Sequence, residues 1–237
     1  MTTGESHTLL SVRGEAQRTV AADEATVYLS VSATRAAKPE ATSDVAGAVA
    51  GLTAELATLG GEVLTAQNTR APLTWSTQSM RTSAEHAQDR TTGEYGPTGR
   101  QISSVSLLIT VRDFALLGRV QAALTERNSV DVHSVQWSVD DDNPEWATVR
   151  ADAIHAAVLK GQDYASALGG SVIGVEHVAD AGLLGGDASG GRAYVAQAAS
   201  LSLGGEADIA SLDPVPQPLS ATIEARLTAI VGALPTR

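Results

Sequence analysis

Arg13 to Arg35 reads RGEAQRTVAADEATVYLSVSATR, and its second half decides the fold. Ala25, Val27, Leu29, Val31 and Ala33 share one parity, whereas Thr26, Tyr28, Ser30, Ser32 and Thr34 share the other. Side chains on a strand alternate between faces, so this pattern predicts a strand with one buried and one wetter side. Ala22-Asp23-Glu24 is turn-prone and separates it from an earlier extended run, Thr8 to Val20. The two runs read as a β-hairpin, with Gly14 marking a bulge or a close backbone approach.

Working outward, Lys38-Pro39-Glu40 opens a helix with proline in its first turn. Val45, Val49, Leu52, Leu56 and Leu59 form its apolar stripe, and Gly60-Gly61 ends it. Val63 to Met80 reads as one long strand. Arg81 to Arg100, polar and holding three glycines and a proline, reads as a loop. Gln101 to Val111 alternates again, so residues 63–111 form a second long hairpin.

Asp113 is placed to cap a short helix burying Phe114, Leu117, Val120 and Leu124. In Val130 to Val139 the apolar parity switches, which predicts a bulge near His133-Ser134. Asn143-Pro144-Glu145 then begins a helix expected to bury Ala147, Ala151, Ile154, Val158, Ala165 and Leu168, ending at Gly169-Gly170. Ser171 to Ala179 is a strand, and Leu219 to Val231 alternates as a last one. Between them lies a Gly/Ala/Pro-rich stretch.

The predicted class is α+β: an antiparallel-rich sheet with two or three Ala-rich helices packed on it, in two interleaved βαβ halves. Several points resemble the SIMPL domain family, also called DUF541. They are Gly14-Glu15 before Asp23-Glu24-Ala25, SVSLLITVRD at 104–113, the helix ending at Gly169-Gly170, and the alternating strand after a proline-rich linker. Ala22 stands where that family usually has proline. The resemblance spans residues 1–180 and 218–232, with 181–217 as a flexible insert. It implies a non-catalytic bacterial protein tied to stress responses, with some members assembling into rings or channels.

Composition narrows the classes. With a net charge of −11 and a pI near 4.8, the chain lacks the basic footprint of a nucleic-acid binder. It has no cysteine, which removes disulfides, thiolate catalysis and Cys-ligated zinc. No apolar run reaches membrane-spanning length. The N-terminus lacks a basic segment leading into an apolar one, so the expected location is cytoplasmic, although many SIMPL relatives are exported.

Each residue group that suggests chemistry has a plainer reading. Asp140-Asp141-Asp142-Asn143 holds oxygen ligands but lacks calcium-loop spacing, and helix entry explains it. His7, His86, His133, His155 and His177 are never three or four apart, so no metal is expected. GGDASGGR at 185–192 lacks the Lys-Ser/Thr of a phosphate loop and the frame of a nucleophilic serine. Glu15, Asp23 and Glu24 face a turn and suggest no partner. Trp75, Trp137 and Trp146 read as core or interface anchors.

No catalytic, cofactor or metal residue is therefore assigned, and no cofactor is expected. The leading reading is a non-catalytic homo-oligomer, with helix 40–59 offering a weakly polar outer face and strand 219–231 able to reach a neighbour. A small-molecule or peptide-binding module, with its cleft between the two halves, is the alternative. An uncharacterised hydrolase is a third.

Overall fold

The computed structural model describes residues 6–88, 93–184 and 212–232. They gather into two units. One comprises residues 21–88, 93–139 and 212–215; the other comprises residues 6–20, 140–184 and 216–232.

The first unit is built on β2 (Glu24–Arg35), whose parity is as the sequence predicts. Ala25, Val27, Leu29 and Val31 are at most 1% exposed, and the opposite parity is half-buried. Its sheet runs β3 (Glu62–Val63), β4 (Leu73–Thr77), β6 (Tyr95–Val111), β2, β7 (Val130–Ser138), while β5 (Arg81–Gln88) also pairs with β6. β2 is antiparallel to both β6 and β7, and β4 is antiparallel to β6. Strands β2 and β4 therefore share a direction with β6 between them, as do β6 and β7 with β2 between them. The helices α1 (Lys38–Thr58) and α2 (Leu117–Thr125) lie in these two connections. This is a split βαβ arrangement used twice.

Val45, Leu52 and Leu56 of α1 and Leu117, Val120 and Leu124 of α2 join the inward residues of β2, β4 and β6 in one core. Burying each such side chain contributes about 2 kcal/mol. Gly60 ends α1 with φ +84°, a left-handed position that glycine adopts without strain. Across the other side of the sheet, register aligns Thr74, Thr110, Thr26 and Gln136 in a polar row.

The second unit is a three-stranded sheet in the order β1 (Ser6–Val20), β9 (Gln217–Val231), β8 (Ser171–Asp180), with α3 (Glu145–Ala167) packed on it. The β1/β9 register runs unbroken from Ser6 opposite Val231 to Val20 opposite Gln217. Strand β8 carries two irregularities, between Val172 and Gly174 and between Val175 and His177.

Five expectations are corrected. Strand β1 does not form a hairpin with β2; it pairs with β9, and β2 pairs with β6 and β7. Val63 to Met80 is not one strand, because a turn over residues 65–72 separates β3 from β4. Arg81 to Arg100 is not a loop, since β5 and the start of β6 are paired there. Helix α3 buries Val149, Ala153, Ala157, Gly161 and Ala165, a stripe of i, i+4 steps, and leaves Ala147, Ala151 and Ile154 exposed. The last strand is not free to reach a neighbour, for β9 sits between two strands of its own chain.

Other details hold. His133 is the extra residue at the β2/β7 shift, because Tyr28 is opposite Ser134 and Leu29 opposite Val132. The Asp113 side chain accepts a hydrogen bond from Ala115 N at 3.0 Å. Asn143 Oδ1 accepts from Glu145 N at 2.9 Å.

Candidate functional site

The residue groups suggested by sequence prove to be spread out and structurally engaged. Asp141 and Asp142 are exposed, while the Asp140 carbonyl accepts from Trp146 Nε1 at 3.0 Å, tying the turn to the start of α3. Among the described residues no group of three or more His, Asp or Glu is placed to hold a metal ion. All five histidines are exposed; His86 stacks on Tyr95 at 5.9 Å, and the His133 ring lies 3.7 Å from Asp131. The stretch 185–192 lies outside the described residues.

Glu15 is exposed on β1. Glu24 and Arg112 form an ion pair, and Arg112 Nε also donates to Thr69 O at 3.1 Å. Trp75 is 7% exposed in the core, and Trp137 meets Phe114 edge-on at 5.5 Å. Trp146 stacks under the Arg150 guanidinium, 5.7 Å from its ring centroid.

Two features escape sequence reasoning. The first is a hollow of 740 Å³ at the C-terminal end of β2, lined by residues of β2, α1 and the segment before β7, together with Arg100 of β6. Its wall is polar. Arg35 Nη1 and Arg100 Nη2 both donate to Thr34 O, at 2.9 and 3.3 Å. Arg35 also pairs with Asp44, and Arg100 Nε stands 3.8 Å from Glu85. The arginines are far apart in sequence and meet only because β2 and β6 place Arg35 opposite Gln101.

The second is a set of exposed apolar side chains in the unit that holds α3. Of the thirteen large hydrophobic residues left exposed among the described residues, seven fall between Ile154 and Leu183. Val175 and Val178 of β8 stand opposite Leu227 and Ala225 of β9, which are buried. They continue that core face outward but remain 55% and 44% exposed. On α3, Leu159 and Tyr164 are 61% and 50% exposed. Ile154, expected inside for its size, is exposed as well, because the sheet accepts the small side of α3.

One carboxylate is electrostatically distinctive. Arg13 Nη2 donates to Glu224 Oε1 at 2.9 Å, and Leu184 N donates to Oε2 at 3.3 Å. The Arg13 hydrogen bond, helped by backbone N–H donors at Gly182 and Leu184, holds the Glu224 carboxyl below its ordinary range. Arg226 Nη2 donates to Leu184 O at 3.0 Å, so neighbouring side chains of β9 fasten the chain after β8. This is a structural clamp.

No helix among the described residues is long and apolar enough to cross a membrane. No curated protein matches the chain. Among solved structures, it is similar to a hydantoinase/carbamoylase-family amidase from Burkholderia phymatum, at 11% identity and TM-score 0.26, over 60% of this chain and 36% of that one. A second such amidase, from Burkholderia ambifaria, matches at 13% identity and TM-score 0.24, over 58% and 34%. The chain thus spans about a third of the length of these structures. The sequence itself matches the SIMPL family, described as a protein of unknown function (DUF541), over residues 10–231, and the chain belongs to that family.

Proposed function

We propose that this SIMPL-domain protein is non-catalytic and works by self-association. The observation that carries this reading is the pair of exposed valines, Val175 and Val178, on the side of edge strand β8 that continues the buried Leu227 and Ala225. Apolar side chains left in water beside a core forfeit burial energy that a partner can supply. A second copy is the occupant best matched to them. Val175 and Val178 share one side of β8, and two copies related by a two-fold axis can cover each other's valines.

The mode of contact follows from β8. Its two irregularities interrupt the regular edge that strand addition needs, so copies meet through side chains and not by extending the sheet. The non-catalytic part rests on how the reactive groups are used. Asn143 caps α3, Glu24 is paired with Arg112, Trp75 lies in the core and Trp137 packs against it. The family resemblance adds ring- or channel-like assembly and a stress-associated role to the same reading.

The test is sedimentation of the full chain at micromolar concentration beside Val175→Lys and Val178→Lys variants. The expected outcome is an oligomer for the parent and a monomer for the variants, with melting temperatures preserved because both positions are exposed. A monomeric parent would overturn the reading, and an oligomer untouched by either lysine would remove this surface from it.

A further inference from the structure

We propose that the hollow at the end of β2 binds a carboxylate, of the kind presented by a peptide C-terminus. The ladder between β2 and β7 stops there. Val31 is opposite Val130, and Ser32 N donates to Ser129 O at 2.9 Å as the last rung. Antiparallel alternation turns the N–H and C=O of Thr34 towards the same side as those of Ser32, two residues beyond that last rung. The Thr34 carbonyl accepts from Arg35 and Arg100, so two guanidiniums gather where a further strand residue would have paired.

Donor geometry selects the ligand. Arg35 and Arg100 meet at the hollow, each facing one carboxylate, Asp44 and Glu85 respectively. A guanidinium has five N–H donors in a planar fork that matches a carboxylate. Thr34 O and Asp44 occupy only part of this supply at Arg35, and Ser32, Ser43, Asn128 and Ser129 add hydroxyl and amide groups. Asp44 disfavours a doubly charged phosphate and tolerates a single negative charge. An extended peptide can continue along β2 where its ladder with β7 stops, its backbone meeting Thr34 and its terminal carboxylate meeting the arginines. The 740 Å³ of space admits one or two residues behind the carboxylate.

The experiment is an amide-resolved NMR titration of the full chain with N-acetyl-dialanine, its C-terminal amide, and acetate. The free acid is expected to shift Thr34, Arg35 and Ser129 saturably, whereas the amide leaves them in place. Arg100→Gln is expected to weaken binding about tenfold without changing the melting temperature, as loss of a charge-assisted contact does. Tighter binding of the peptide than of acetate identifies a peptide terminus as the source. Equal binding identifies a free carboxylate, and either result upholds the site. No saturable shift with either acid, equal shifts with the amide, or indifference to Arg100→Gln would overturn it.

Discussion

Gly14 of β1 lies directly beneath the backbone of Ala153 in α3: a Cβ on Gly14 would sit 2.0 Å from the Ala153 carbonyl oxygen and 2.6 Å from Ala157 N. Neither atom can swing aside, because both belong to a helix fixed by its own hydrogen bonds. Gly14→Ala is expected to cost about 3 kcal/mol, at the upper end for overpacking. Gly161→Ala offers the contrast. Its Cβ would come 2.1 Å from Leu227 Cδ1, the movable end of a side chain, and alanine recovers about 1 kcal/mol of helix propensity. Urea melts should therefore show a much smaller loss for Gly161→Ala; equal losses would mean that α3 can shift over Gly14.

The same helix shows where sequence reading stops. Its alanines lie on several sides, so size favoured Ile154 and Val158 as the inward residues. Close approach to the sheet instead selects the smallest side chains, Ala153, Ala157 and Gly161. Alternation identified β1 and β2 as strands, but it carries no information on partners. The turn-like Ala22-Asp23-Glu24 suggested a hairpin, whereas β1 pairs with a strand some 200 residues later. Strand β5 was invisible for a further reason. It is mostly exposed and lacks an apolar side to imprint a period. By contrast, the bulge at His133 was legible because β7 changes parity beside a core. The hollow at Arg35 and Arg100 left no sequence signal, since it depends on the β2/β7 ladder stopping before Thr34.

Strand β2 provides a test of its two sides. Leu29 is 1% exposed within the core, whereas Thr26 is half-buried with its hydroxyl donating to Glu24 at 3.2 Å. Leu29→Asn places an amide among aliphatic groups and is expected to cost about 3 kcal/mol. Thr26→Asn, on the polar row, should cost about 1 kcal/mol or less. Comparable losses in chemical denaturation would show that both sides are dry.

Glu224 gives the protein an acid-sensitive contact. Its folded carboxyl titrates below the ordinary value of 4.5 because Arg13 and backbone donors favour the charged form. The stabilisation is therefore complete above pH 4.5 and is lost as pH falls through the depressed folded value. Glu224→Gln removes this contribution. Melting temperatures measured from neutral to acidic pH should converge between parent and variant as the solution becomes acidic. A gap that stays constant with pH would show that the clamp contributes no charge-dependent stability.

Thr74 is the place where stability can be gained. It is 1% exposed, and its hydroxyl has no hydrogen-bond partner. The residue sits opposite Thr110 on β6, on the side of β4 away from buried Leu73 and Trp75. A buried hydroxyl that has given up water without gaining a partner imposes a desolvation penalty of about 1–3 kcal/mol. Valine keeps the branched shape and strand preference of threonine while removing the polar atom. Thr74→Val is expected to stabilise the fold by about 1 kcal/mol, read as a higher urea midpoint at unchanged slope. A lower midpoint would mean that the Thr74 hydroxyl is satisfied in solution, with the row of threonines acting as a hydrogen-bonded chain across β4, β6 and β2.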